Sequence, residues 1–122
     1  MKYLLDTDHI SFLQLKSGPE YAALAARMSP CSAADFAFCI VSFHEQALGG
    51  HTYISRARTS ADLVRGYTPM LEILQGFMTV PVLPFDAAAS AVFDNLRAQK
   101  LRVGAMDLRI AATALAREVW CC

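Results

Sequence analysis

Three acidic residues, Asp6, Glu45 and Asp107, stand where a predicted strand ends or a predicted helix begins. Asp6 ends the apolar start of the stretch YLLDTDHISF, and Glu45 follows the apolar run at 36–41. Asp107 lies in the first turn of an apolar helix predicted over 105–118. Carboxylate oxygens without other ligand types are the donors that Mg²⁺ and Mn²⁺ prefer. A cation held in this way activates water and stabilises charge on a phosphoryl group, which predicts metal-assisted phosphodiester hydrolysis.

The elements that must position these acids form an alternating pattern. Apolar strand-like runs cover 3–5, 36–41 and 77–83, and amphipathic helical patterns lie between and after them. This alternation predicts an α/β domain with a parallel sheet. Ligands of such sheets bind beyond the carboxyl ends of the strands, and we expect all three acids at that edge. Because clustered carboxylates repel one another, the grouping favours a cation between them.

Capping and breaking residues predict where the helices begin and end. Ser42 followed by Glu45 has the spacing of a capping box at the start of a helix. Gly49-Gly50 predicts a turn or break, after which 51–75 is predicted to be helical. Asp86 is predicted to cap the helix that follows it.

The same side chains have structural roles as alternatives. Asp6 or Asp8 can cap the first helix, and Asp8 is the favoured cap. Glu45 taken alone is favoured as the second half of the capping box. The third acid can complement the N-terminus of the last helix. His9 and His44 are assigned to surface or half-buried positions rather than to metal ligation.

The composition fits one folded domain of 122 residues, with 55% hydrophobic and 18% charged residues. A net charge of zero disfavours tight binding of nucleic acid through bulk charge. Arginine outnumbers lysine by eight to three, and its planar guanidinium suits local phosphate contacts. The four cysteines form no C-x-x-C pair and are predicted to be reduced thiols of a cytoplasmic protein. Neither a signal peptide nor a membrane span is predicted.

Three segments together resemble the motifs of PIN-domain ribonucleases, most closely the VapC-type toxins of type II toxin–antitoxin systems. These segments are LLDTDHIS (4–11), VSFHEQALG (41–49) and VGAMDLRIAATALA (103–116). The resemblance implies a single PIN-like domain, a three-layer α/β/α fold with a parallel sheet. It implies Mg²⁺- or Mn²⁺-dependent endonucleolytic cleavage of RNA without a covalent intermediate. It further implies homodimerisation and inhibition by a cognate VapB-type antitoxin that covers the active site.

The resemblance also implies roles for individual residues. The metal-binding and catalytic acids of the motifs match Asp6, Glu45 and Asp107. The positions that would support these acids match Thr7, Asp8 and Ser42, with Ser42 acting through a hydrogen bond. Candidates for contact with RNA or antitoxin are Arg56, Arg58, Arg65, Arg102 and Arg109. Solvated helix faces are the alternative for each arginine.

The resemblance ends with the last residues of the sequence, Val119–Cys122. In the family the last helix is followed by a strand, an acidic motif resembling T-x-N-x-x-D-F and a closing strand. Here a strand is predicted to begin at Val119, and the sequence then stops. We therefore expect residues 1–122 to be a C-terminally truncated domain that lacks the final strand and a fourth carboxylate. An exposed sheet edge and uncovered apolar surface would follow.

Two other functions are open at this point. One is a catalytically impaired PIN remnant that still dimerises or binds antitoxin. The other is a haloacid-dehalogenase-like phosphatase, because Asp6-Thr7-Asp8 resembles its D-x-D start, with Asp6 as nucleophile and Asp8 as general acid/base. That class needs a downstream acidic pair and a loop lysine, which makes it the more distant alternative. A ribonuclease should depend on Glu45, whereas a phosphatase should not.

Overall fold

A computed structural model of the chain describes residues 3–121. In this range the strands are β1 (Tyr3–Leu4), β2 (Phe36–Cys39), β3 (Val82–Leu83) and β4 (Trp120–Cys121). The α-helices in the same range are α1 (Thr7–Leu15), α2 (Pro19–Met28), α3 (Ile40–Ser55), α4 (Ser60–Phe77), α5 (Ala87–Ala98) and α6 (Ala105–Ala116). One turn of 3₁₀ helix, Ala33–Asp35, precedes β2.

The strands form one parallel sheet in the order β3-β2-β1-β4. Leu4 of β1 pairs with Ala37 of β2 on one side and with Cys121 of β4 on the other. All four residues of β2 are buried, as the continuous apolar run predicted for a central strand. The strand predicted to begin after the last helix is confirmed as β4, which forms one edge of the sheet over the described residues.

Helices cover both faces of the sheet, which confirms the three-layer α/β/α architecture. Successive side chains of β2 point to opposite faces: Ala37 and Cys39 to one, Phe36 and Phe38 to the other. The first face packs against α6 in a cluster that includes Leu4, Leu83, Ile110 and Ala114. The second face packs against α1 and the end of α4 in a cluster that includes Leu5, Ile10 and Phe77.

All three predicted strands are shorter than the apolar runs that suggested them, and the run at 3–5 ends one residue early, at Leu4. The strand predicted over 36–41 ends at Cys39, because α3 already begins at Ile40. The run at 77–83 contributes only Val82–Leu83, since its first residue belongs to α4. Pro81 lacks a backbone N–H for the ladder, but its carbonyl accepts the N–H of Phe38 at 2.9 Å.

The predicted break at Gly49-Gly50 is wrong, because α3 continues through both glycines as far as Ser55. The chain turns instead over 56–59. There the Thr59 side chain accepts the backbone N–H of Asp62 at 3.0 Å and caps α4. The predicted cap at Asp86 is confirmed, since its carboxylate accepts the Ala89 N–H at 3.0 Å. That bond and the Arg117 guanidinium hold the pKa of Asp86 below its usual value.

The glycines of α3 and α4 differ in their surroundings, which predicts opposite effects of adding a methyl group. A Cβ on Gly66 would lie 2.5 Å from Cγ1 of Ile54, where the two helices cross closely. Gly66→Ala should therefore lower the free energy of unfolding by about 1–3 kcal/mol. A Cβ on Gly49 meets nothing within 4 Å, so Gly49→Ala should raise it by roughly 0.5–1 kcal/mol. Urea denaturation of both variants checks this, and effects of equal sign would contradict the close crossing.

An apolar stripe runs along the outer face of α4 at alternating intervals of three and four residues. Its side chains are 46–75% exposed and comprise Val64, Tyr67, Leu71, Leu74 and Met78. Contiguous exposed apolar side chains of this kind are typical of interaction surfaces. In the described part of the chain no helix has the length and hydropathy that crossing a membrane requires.

Candidate functional site

The three predicted acids lie at the carboxyl edge of the sheet because of how the helices connect. β1 leads into α1 and β2 leads into α3, so Asp6 and Glu45 follow the carboxyl ends of adjacent strands. α6 runs back across the sheet into β4, which is parallel to β1. The first turn of α6, with Asp107, therefore starts from the same edge. Negative side chains near helix N-termini are stabilised by the helix dipole.

Asp6 is the residue that caps α1. Its Oδ1 accepts the backbone N–H of His9 at 2.9 Å, and the same oxygen lies 2.5 Å from His9 Nδ1. Both side chains are half-buried. The prediction that Asp8 caps this helix is wrong, since Asp8 is exposed within the first turn of α1. Asp6 thus caps the helix through Oδ1. Its other oxygen, Oδ2, receives no hydrogen bond from residues 3–121.

Glu45 is bonded to Thr7, the residue that follows Asp6. The Thr7 hydroxyl donates to Glu45 Oε1 at 2.5 Å, joining the first turn of α1 to α3. One turn further along α1, Ser11 Oγ accepts the Gln46 amide at 3.3 Å and donates to the Thr7 carbonyl at 2.9 Å. The capping-box prediction for Glu45 is wrong, because α3 begins two residues before Ser42 and Cys39 is its N-cap. Glu45 therefore faces α1 instead of its own helix end.

Asp107 is not brought into contact with the other two acids. It is exposed in the first turn of α6, and its carboxylate makes no hydrogen bond or ion pair with any residue of 3–121. In that same range no three His, Cys, Asp or Glu side chains lie close enough together to hold a metal ion. Glu45 is therefore bonded to the residue next to Asp6, and Asp107 lies at the same edge without a contact to either acid in residues 3–121.

The donor chemistry of this edge nevertheless fits a hard divalent cation. Asp6 and Glu45 each engage one carboxylate oxygen with a protein donor, Oδ1 and Oε1 respectively. Within residues 3–121 no hydrogen bond engages the second oxygen of either carboxylate. Oxygen donors alone suit Mg²⁺ or Mn²⁺ and not softer metals. Asp107 would supply a third carboxylate from the same edge, although the described residues do not group it with the other two acids.

Ser42 is fully buried, and its hydroxyl has no hydrogen-bond partner in the described part of the chain. It lies in the first turn of α3, one turn before Glu45. The fully buried hydroxyl of Thr113, by contrast, donates to the Arg109 carbonyl at 2.9 Å. The hydrogen bond predicted for Ser42 is therefore not present in this structure.

This contrast predicts different costs for removing the two hydroxyls. Ser42→Ala should leave the free energy of unfolding unchanged or raise it, because it removes an unpaired buried polar group. Thr113→Val should lower it by about 1 kcal/mol, since a hydrogen bond is lost. Chemical denaturation measures both values. A loss above roughly 1 kcal/mol in Ser42→Ala would indicate a partner for this hydroxyl in solution.

Three of the arginines predicted to contact RNA or antitoxin lie away from this edge. Arg56, Arg58 and Arg65 lie at or near the turn between α3 and α4, and Arg56 is roughly 16 Å from Glu45 along the axis of α3. Arg65 bonds Asp62 at 2.6 Å, and this guanidinium holds the pKa of the Asp62 carboxyl below its usual value. The carboxyl edge of the sheet that carries Asp6, Glu45 and Asp107 is called the acidic edge below. The position of these arginines suits a partner that reaches beyond the acidic edge.

The other two arginines flank the start of α6. Arg102 is exposed in the loop before this helix, on the side of Asp107. Arg109 lies over the ring of Phe93 in α5 at 5.8 Å, where it packs α6 against α5. Arg102 is therefore the exposed one of the two, whereas Arg109 packs between helices.

Sequence reasoning names Thr7 as a supporting residue but misses the other side chains around the two acids. It correctly assigns His9 to a surface or half-buried position, since the side chain is half-buried, but it does not predict the contact of the imidazole with Asp6. It gives Ser11 and Gln46 no role, yet they bridge α1 and α3. The available signal is the three-residue interval from a capping Asp6 to His9, which places the two side chains on one turn.

The fold matches solved structures of toxin–antitoxin complexes. A chain of the FitAcB structure from Neisseria gonorrhoeae aligns with a TM-score of 0.69 and 22% identity, covering 98% of this chain and 84% of that one. A chain of VapBC2 from Rickettsia felis, bound to a DNA fragment from their promoter, aligns with a TM-score of 0.67 and 20% identity over 99% and 86%. A chain of DNA-bound VapBC from Salmonella typhimurium aligns with a TM-score of 0.67 and 20% identity, covering 98% of this chain and 83% of that one.

At these identities the matches establish the fold, a PIN-like α/β domain with a parallel sheet and helices on both faces. No model of a known protein family and no curated protein sequence matches the chain.

Proposed function

We propose that the chain is a single PIN-like domain of VapC type, a cytoplasmic metal-dependent endoribonuclease toxin of a toxin–antitoxin pair. The observation that carries the proposal is the hydrogen bond from Thr7, which follows Asp6 at the carboxyl end of β1, to Glu45 of α3, which follows the adjacent strand. A fold shared with VapBC and FitAB structures supports the toxin assignment. Asp107, from the first turn of α6, is proposed as the third acid.

The proposed chemistry divides between a cation and the protein. A bound Mg²⁺ or Mn²⁺ would supply an activated water and neutralise charge on the scissile phosphate. Asp6, Glu45 and Asp107 would hold the cation, with Thr7 fixing the orientation of Glu45. Arg102, exposed near the start of α6, would contact the RNA backbone. Because the chain has no net positive charge, we expect such contacts to be few and local.

The proposal is tested by cation binding and RNA cleavage measured on the same preparation. Calorimetric titration with MnCl₂ should show binding to the folded chain that is lost in Asp6→Asn. Incubation with single-stranded RNA should give internal cleavage in Mg²⁺ or Mn²⁺ and none in EDTA. A folded chain that binds neither cation, or that cleaves RNA equally well in EDTA, would disprove the nuclease assignment.

We also propose a VapB-type antitoxin and a second copy of the chain as partners. The matched structures of VapBC2, VapBC and a toxin–antitoxin complex from Klebsiella pneumoniae support the antitoxin. The exposed apolar stripe of α4 supports self-association. Light scattering coupled to size exclusion should give twice the 13.3 kDa mass of the chain. A monomer at high micromolar concentration would contradict the homodimer.

One observation favours the second candidate, a PIN remnant that binds antitoxin or dimerises without catalysis. Asp107 stands apart, and in residues 3–121 no three potential ligands are grouped. Two linked acids alone would bind a cation weakly. Normal dimerisation without cation binding would therefore support the remnant. The phosphatase alternative has weaker support, because Glu45, to which it gives no role, is bonded to Thr7 of the D-x-D segment.

A further inference from the structure

We infer that His9 is a positioning residue, which fixes the Asp6 carboxylate so that Oδ2 is the oxygen presented to the cation. The inference rests on the proposed function, because it concerns the same acidic edge. It adds a residue to which the motifs assign no role. Its basis is the pair of contacts that His9 makes with one oxygen of Asp6.

The two contacts have different origins. The backbone N–H of His9 lies 2.9 Å from Asp6 Oδ1, and any residue at this position of the helix would supply that donor. The imidazole Nδ1, 2.5 Å from the same oxygen, is a contact that depends on the side chain. Capping therefore does not explain the imidazole. Its effect is to engage Oδ1 twice and restrict rotation of the carboxylate about its Cβ–Cγ bond.

A restricted carboxylate binds a cation more tightly because less side-chain freedom is lost on binding. Glu45 is restricted in the same way by Thr7, whose hydroxyl engages Oε1. His9 and Thr7 thus each hold one of the two acids from the same turn of α1. In metal sites generally, removing a side chain that orients a ligand weakens metal affinity by about 10–100-fold.

Substitution of His9 separates orientation from general stability. His9→Ala removes the imidazole in a residue type that favours helix. His9→Asn retains an N–H donor at nearly the position of Nδ1, so it should restore the contact. His51→Ala is the matched control, because His51 is an exposed histidine of α3 that contacts Ser55. Calorimetric titration with MnCl₂ at one pH gives the dissociation constants, and metal-free thermal unfolding reports stability.

We expect His9→Ala to weaken Mn²⁺ binding by about 10–100-fold, with His9→Asn within a few-fold of the original chain and His51→Ala unchanged. Unchanged affinity in His9→Ala would overturn the inference, while the proposed function would stand. Equal losses in His9→Ala and His9→Asn would also overturn it, by indicating a packing role. If His9→Ala does not fold, His9→Gln, whose amide lies one bond further out, takes its place. Absence of Mn²⁺ binding by the original chain would instead refute the proposed function.

Discussion

Asp6→Asn and Glu45→Gln should each reduce metal-dependent RNA cleavage by at least about 100-fold, the upper end of what residues that only orient a metal ligand contribute. Both substitutions remove the negative charge and one strong oxygen donor. Neither should unfold the chain. Asn caps helices as well as Asp does, and in Glu45→Gln the new amide oxygen can still accept the Thr7 hydroxyl. The loss would therefore report on the site rather than on the fold.

The matched controls are an Asp and a Glu far from the acidic edge. Asp94 lies exposed in α5 and Glu20 lies exposed in the first turn of α2. Asp94→Asn and Glu20→Gln should leave cleavage within about two-fold of the original chain. Initial rates on one RNA substrate in saturating Mn²⁺ give the comparison. Full activity in either Asp6→Asn or Glu45→Gln would remove that acid from the mechanism.

The start of α1 shows how much of the site could be predicted from sequence. The apolar run and the acids after it correctly indicated a strand that delivers Asp6 to the carboxyl edge. The choice of cap was wrong because Asp6 and Asp8 are both good capping residues and lie two positions apart. The sheet decides between them: β1 ends at Leu4 and Leu5 N–H still bonds the Ala37 carbonyl, so Asp6 is the first residue free to cap.

The α3–α4 hairpin shows what local signals could not predict. Paired glycines usually indicate a turn, yet Gly49-Gly50 lies within one continuous helix. Its packing partner is α4, where Gly66 allows close approach to Ile54. Contacts between residues far apart in sequence override the local preference for a turn. The same limit applies to Asp107. The topology predicts that it lies at the carboxyl edge of the sheet, but not that it stands apart from Glu45.

Leu4→Ala should be among the most destabilising single substitutions in the chain. The Leu4 side chain is fully buried in the middle of the sheet and packs in the cluster that contains Cys39 and Ile110. Its truncation should lower the free energy of unfolding by about 2–5 kcal/mol, because a cavity would form between the sheet and α6. Leu115→Ala on the same α6 should cost less than about 0.5 kcal/mol, since Leu115 is 57% exposed.

The Leu4→Ala variant also links the fold to the site. A cation that binds only the native state should restore about 2.7 kcal/mol when present at 100 times its dissociation constant. Urea denaturation of Leu4→Ala with and without Mn²⁺ should therefore show recovery, and the double variant with Asp6→Asn should show none. Equal recovery in both would mean that Mn²⁺ stabilises the chain elsewhere. If the free energy of unfolding recovers only in the variant that retains Asp6, Mn²⁺ binds at Asp6 in the folded state. Because only two residues separate β1 from α1, the cation site would then depend on an intact sheet.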